Sequence, residues 1–383
     1  MPPLSVMIKP ASGLCNMRCR YCFYADETEK RTTPSFGMMT EDTLRQVLTH
    51  VLAAATGTCT LAFQGGEPTL AGLSFFQKVI EFEKELNVNH CRIEHALQTN
   101  GLLIDDAWAE FLAENHFLVG VSLDGPKELH DKNRLDTNGK GTWSRVMHAI
   151  QILKKHHVEF NILTVVTGDL CRCTGKVTGF YARNGFSYRQ FIPCLDPLGE
   201  ERGQHPWSLT PKLYARYLKD SFDSWYRDIR EGHKTYHRYF DNLLLIMDGQ
   251  WPEACGMGGI CGRQFVIEAD GSVYPCDFYM LDEYCIGNFS TDDFETVEKN
   301  RDALGFQRVS AIPHDDCRHC RWKALCRGGC RRDRDLFENG PIAPGEKPSQ
   351  NLGKNYFCTA YQEFFSYAYP RLYEVYQLLS QGS

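Results

Sequence analysis

The placement of cysteine constrains this chain more than any other feature. Its 383 residues include 17 cysteines, and eleven of them fall in short groups: Cys15, Cys19 and Cys22; Cys255, Cys261 and Cys276; Cys317, Cys320, Cys326 and Cys330; and Cys358 beyond. The start of the chain, Met1-Pro2-Pro3-Leu4-Ser5, lacks a charged stretch followed by an apolar one, which predicts a cytoplasmic protein without a signal peptide. In a reducing compartment, grouped cysteines point to metal or redox chemistry rather than disulfides. The other six (Cys59, Cys91, Cys171, Cys173, Cys194 and Cys285) read as ordinary small residues. Forty-two Lys and Arg against 48 Asp and Glu leave a net charge of −6, without the broad basic surface of a nucleic-acid binder. No apolar run reaches the roughly 18 residues of a membrane span.

Short, apolar, often β-branched stretches at 5–9, 60–64, 92–98, 118–122, 159–166 and 188–192 read as buried parallel strands. Helical patterns lie between them. The clearest is Leu44, Val47, Leu48, Val51 and Leu52, with Thr40 as N-cap; others begin near Ser74, Asp105 and Thr142. The segment between the fifth and sixth strands is poorly patterned. Six βα units predict an α/β fold, a partial (β/α)6 TIM-like barrel left open at one side, over residues 1–205. An aromatic helical linker follows at 206–250. A Cys- and Gly-rich part at 251–358 has too few periodic runs for a large apolar core, and metal sites commonly substitute for one. It includes an expected loop at 341–353. A final helix at 359–383 closes the chain, and nothing demands more than a monomer. The polar, glycine-rich segments at 15–22, 65–68, 99–101, 123–125 and 195–197 all follow strands, where this architecture places its chemistry.

Cys15-x3-Cys19-x2-Cys22 offers three thiolates on a tight loop. Three thiolates can hold three irons of a [4Fe–4S] cluster and leave the fourth iron open to a ligand. A zinc site and a helix face are the alternatives. With Phe23 and Tyr24 behind it, the motif resembles the signature of the radical S-adenosylmethionine (SAM) superfamily. That resemblance implies that SAM chelates the open iron and is cleaved by one electron to a 5′-deoxyadenosyl radical, which abstracts a hydrogen atom from substrate. Gly65-Gly66-Glu67-Pro68 is similar to the family's GGEP segment, whose backbone meets the SAM amino group; a glycine pair permits that close approach. Tyr21, Ser122, Arg134 and Leu195 fall where relatives contact SAM.

The later cysteines resemble the SPASM extension of peptide- and protein-modifying radical SAM enzymes, with zinc ribbons as the alternative. The likeness implies two further [4Fe–4S] clusters. One is assigned to Cys255, Cys261, Cys276 and Cys330, and the other to Cys317, Cys320, Cys326 and Cys358.

Segments 1–10, 63–73, 98–101, 117–130, 190–197 and 264–279 resemble anaerobic sulfatase-maturating enzymes. This implies that Asp277, beside Cys276, is the general base that deprotonates the target residue. The implied reaction oxidises a Cys (or Ser) in an unfolded sulfatase segment of Cys/Ser-x-Pro/Ala-x-Arg type to formylglycine without oxygen. Electrons would come from a reductant such as a ferredoxin or flavodoxin. Gln64 and Tyr24 are candidate contacts in the active site. Other readings are a SPASM maturase that crosslinks a ribosomal peptide and a non-catalytic iron–sulfur carrier.

Overall fold

The computed structural model describes residues 3–233, 235–335 and 352–381. Six strands follow one another along the chain: β1 (Leu4–Ile8), β2 (Thr58–Phe63), β3 (Arg92–Thr99), β4 (Phe117–Ser122), β5 (Phe160–Val166) and β6 (Tyr188–Pro193). They pair in that order, all parallel, as a chain of βα units requires. The sheet is wider than the six expected strands. The short β7 (Tyr236–His237) extends it past β6. On the other side β8 (Phe265–Ile267) lies parallel to β1, and β9 (Ser272–Tyr274) and β10 (Gly287–Asn288) follow antiparallel. The ten strands thus run in the order β10-β9-β8-β1-β2-β3-β4-β5-β6-β7. The cysteine-rich part therefore joins the main sheet at β1, with Ile8 opposite Ile267.

Helix Glu41–Ala54 buries Leu44, Val47, Leu48, Val51 and Leu52, and the Thr40 side chain accepts from the Thr43 N–H at its start, as the pattern predicts. Each such side chain contributes roughly 1.5–3 kcal/mol through burial. Asp105 and Thr142 stand at the N-cap positions of helices Asp106–Glu114 and Trp143–Lys155. Between β5 and β6 the chain forms two short helices, Gly168–Cys171 and Thr174–Arg183. Gly175 and Gly179 in the second pack against little, which is why its apolar period is faint. The aromatic linker forms helices Pro211–Arg230 and Arg238–Met247. The first packs on the last helix, Cys358–Gln381, through Phe222 against Phe364 and the pairs Lys219–Glu363 and Arg371–Asp223. Of the loop expected at 341–353, residues 341–351 lie outside the described residues. Among the described residues no helix is long and apolar enough to cross a membrane.

Candidate active site and cluster sites

The first cysteine loop leaves the C-terminal end of β1 and is held on three sides. The Arg18 and Arg20 N–H groups donate to the carbonyls of Leu135 (2.7 Å) and Asn133 (3.0 Å). Asn100, at the end of β3, donates to Asn16 Oδ1 at 2.7 Å and lies 3.8 Å from Cys15 Sγ. From β2, Gly66 closes on the loop so tightly that a Cβ there would stand 2.2 Å from the Leu14 carbonyl oxygen, and its φ is +54°. Cys22 forms the N-cap of helix Phe23–Glu29. The three thiols lie within electrostatic reach of one another. Burial pushes the Cys15 thiol up to about 11 and the Cys19 thiol up to about 12.

The expected SAM contacts gather at the same sheet end. Glu67 is buried, and its carboxylate accepts from Thr69 N (3.1 Å), Thr69 Oγ1 (2.6 Å), Thr99 Oγ1 (2.7 Å) and Asn100 N (2.7 Å). Its carboxylate therefore braces β2 against β3, and the glycine pair carries the open backbone. Tyr21 and Arg134 both bond one buried carboxylate, Asp124. The Tyr21 hydroxyl donates to it, and Arg134 donates at 3.0 Å through Nε and 3.3 Å through Nη2. The Val165 N–H adds a bond at 3.0 Å. Ser122 ends β4, and Leu195 follows β6, each partly exposed.

The remaining cysteines form two further groups. Cys276 and Cys330 lie within electrostatic reach of each other and of Cys255 and Cys261, and burial raises all four thiols. Cys317, Cys320, Cys326 and Cys358 line one small cavity with Trp322, Tyr361 and Phe365. Cys358, separated from its partners by the 341–351 stretch, is brought to them by the start of the last helix. Groups of three, four and four thiols suit one open and two closed iron–sulfur clusters. Among the described residues no three metal-binding side chains converge as ligands of a single ion would.

Asp277 stands where the two halves of the sheet meet. It is buried, and its carboxylate accepts from Lys9 Nζ at 2.5 Å and Gln64 Nε2 at 2.6 Å. Gln64 thus reaches the expected base directly. Tyr24 does not offer its hydroxyl there: it donates to Glu268 at 2.7 Å, which also pairs with Arg31 at 2.6 Å, while the Tyr24 ring lies 3.8 Å below Lys9 Nζ. Sequence reasoning missed Lys9 and Glu268 and marked Asp124 only as part of the polar 123–125 segment that follows a strand. For Lys9 and Glu268 the available signal was a charged residue at the end of an apolar strand.

With this geometry in hand, the comparisons are decisive. A model of the radical SAM superfamily matches residues 10–170, and a model of the SPASM iron–sulfur cluster-binding domain matches 255–321. A cysteine-type anaerobic sulfatase-maturating enzyme of Clostridium perfringens is 47% identical over 98% of this chain and 99% of its own length. The chain belongs to the anaerobic sulfatase-maturating enzymes. The serine-type member from Bacteroides thetaiotaomicron is more distant, 31% identical over 96% of this chain and 90% of its own. The solved structure of native anSMEcpe with bound AdoMet and Cp18Cys peptide superposes with a TM-score of 0.91 at 46% identity, covering 99% and 100% of the two chains. An anaerobic sulfatase-maturating enzyme is a radical SAM enzyme with SAM and [4Fe–4S] clusters as cofactors, so the zinc and carrier readings fall away. The crosslinking alternative is not favoured.

Proposed function

We propose that this enzyme converts a cysteine of an unfolded sulfatase segment, of Cys-x-Pro-x-Arg type, to formylglycine, and a serine in the same position less readily. The closer kinship to the cysteine-type relative, 47% against 31% for the serine-type one, supports that order. Cys15, Cys19 and Cys22 would hold the cluster that meets SAM. Cys255, Cys261, Cys276 and Cys330, and then Cys317, Cys320, Cys326 and Cys358, would hold the two others. When bound, these groups supply the one-electron chemistry that removes a hydrogen atom from the substrate Cβ and takes up the second electron. The chain does the rest. The Gly65–Gly66 backbone, Ser122 and Leu195 would line the cofactor's place, and Tyr21 and Arg134, both held by Asp124, would wall it. The Asp277 carboxylate accepts the proton from the target Sγ or Oγ, which lets the Cβ–S or Cβ–O double bond form. Water then hydrolyses the thioaldehyde to the aldehyde with release of hydrogen sulfide. A reductant of ferredoxin or flavodoxin type would supply electrons.

The observation that carries this reading is the buried Asp277 carboxylate, held by Gln64 next to the glycine pair. Anaerobic incubation of the holoenzyme with SAM, dithionite and a Cys-x-Pro-x-Arg peptide tests it. The expected product is an aldehyde that a hydrazine reagent traps, with hydrogen sulfide released. A peptide that gains an internal bond and keeps its sulfur would refute it.

A further inference from the structure

Asp277 as the base rests on the reading above, and one residue with no role in that reading touches everything around it. Lys9 is completely buried at the C-terminal end of β1. Its ammonium bonds Asp277 Oδ1 at 2.5 Å, while Gln64 takes Oδ2 at 2.6 Å. Its main chain belongs to both neighbours: its N–H donates to Ile267 of β8 at 2.8 Å, and its carbonyl accepts from Ser12, which leads into the first cysteine loop, at 3.1 Å. Its stem lies against Gly65, where an added Cβ would stand 2.7 Å from Lys9 Cγ and 2.8 Å from Cδ. The absence of a side chain at Gly65 therefore makes room for Lys9.

Taking an ammonium out of water costs several kcal/mol unless it is well paired. An apolar stem of the same length would fill this space without that cost. The pairing does something an apolar stem would not. Asp277 sits on the loop after β9, remote in sequence from the radical SAM motifs, and needs a fixed orientation relative to them. Lys9 and Gln64 provide it from two adjacent strands, one donor to each carboxylate oxygen. Two donors at the two oxygens fix both the plane and the tilt of the group.

We propose that Lys9 is a positioning residue that registers the base Asp277 against the Gly65–Gly66 segment. Through it the segment expected to meet SAM and the group that deprotonates the target move as one rigid body. Loss of the ammonium leaves the clusters and SAM cleavage in place but lets the carboxylate swing. Hydrogen abstraction and deprotonation then no longer coincide.

The test uses reconstituted holoenzyme carrying Lys9→Met, with Lys9→Gln as a second variant and Asp277→Asn in parallel. Iron content, deoxyadenosine formed and peptide aldehyde formed are measured together. The expected result for both Lys9 variants is full iron content and near-parental deoxyadenosine, with aldehyde per deoxyadenosine down roughly 10²-fold, the scale of a small misplacement of a reacting group. Aldehyde per deoxyadenosine equal to the parent's would overturn the proposal. So would loss of iron and of SAM cleavage in proportion to product in both variants, which marks a structural role. If Asp277→Asn itself yields full product, the base assignment has failed, and with it the premise rather than Lys9 alone.

Discussion

At the residue scale, two buried carboxylates organise this site, and each makes a distinct prediction. Asp277 is held by two donors, the Gln64 amide and the buried Lys9 ammonium, so its loss lowers stability as breaking any buried pair does, but in this reading its carboxylate is no cluster ligand. Asp277→Asn is therefore expected to keep cluster content and SAM cleavage while lowering aldehyde formation by roughly 10²–10⁴-fold, the usual worth of a general base; product mass spectrometry beside deoxyadenosine chromatography reads both. Asp124 serves differently. It pairs with Arg134 in the core and receives the Tyr21 hydroxyl. Removing it strands a buried guanidinium, so Asp124→Asn should destabilise the enzyme by roughly 3–5 kcal/mol, seen as a lower urea midpoint, and weaken SAM binding as well. These roles were unequally visible. Asp277 could be picked out through the resemblance of segment 264–279 to the sulfatase-maturating family. Lys9 acts through a partner 268 residues distant, and Asp124 ties Arg134, ten residues on, to Tyr21, 103 residues away, so the 123–125 segment was visible locally but these long-range bonds were not.

At the scale of elements, the approach of β2 to the first cysteine loop is the tightest fit in the site. A methyl group at Gly66 would collide with the Leu14 carbonyl, and the +54° φ disfavours any side chain. Gly66→Ala is thus expected to displace the loop and drop iron from about twelve toward about eight per chain, three clusters falling to two; iron analysis of reconstituted protein measures it. A second prediction concerns helix Lys127–Asn133. His130 is buried there, its Nδ1 accepting from the Asp124 N–H at 3.3 Å and its Nε2 lying 3.0 Å from Thr142 Oγ1. Burial pulls its pKa down to about 4. The unfolded chain takes up this proton near pH 6.5 and the folded one does not. Stability should therefore fall as pH drops from about 6.5 toward 4, and His130→Asn should lessen the fall in urea midpoint between pH 7.5 and 5.5. Much at this scale was readable in advance: β1–β6, the Thr40 cap and the Leu44–Leu52 face follow local periods. The pairing of β8 with β1 was not, because a three-residue strand carries no period and its place depends on packing across the chain.

For the whole molecule, the continuous sheet is the central device. It carries the radical SAM segment on β1–β6 and, through β8 and β9, delivers the Cys276–Asp277 loop to the end of β1. The parallel contact of helices Pro211–Arg230 and Cys358–Gln381 secures the far end, where Cys358 meets Cys317, Cys320 and Cys326. Chemistry split between two parts of a sequence is thereby brought to one place. The most direct measurement is isotope transfer: a Cys-x-Pro-x-Arg peptide deuterated at the cysteine Cβ, incubated anaerobically with holoenzyme, SAM and dithionite. The account predicts that deuterium appears in 5′-deoxyadenosine in step with peptide aldehyde. Aldehyde formed alongside unlabelled deoxyadenosine, or labelled deoxyadenosine with the cysteine joined to another residue, would contradict it.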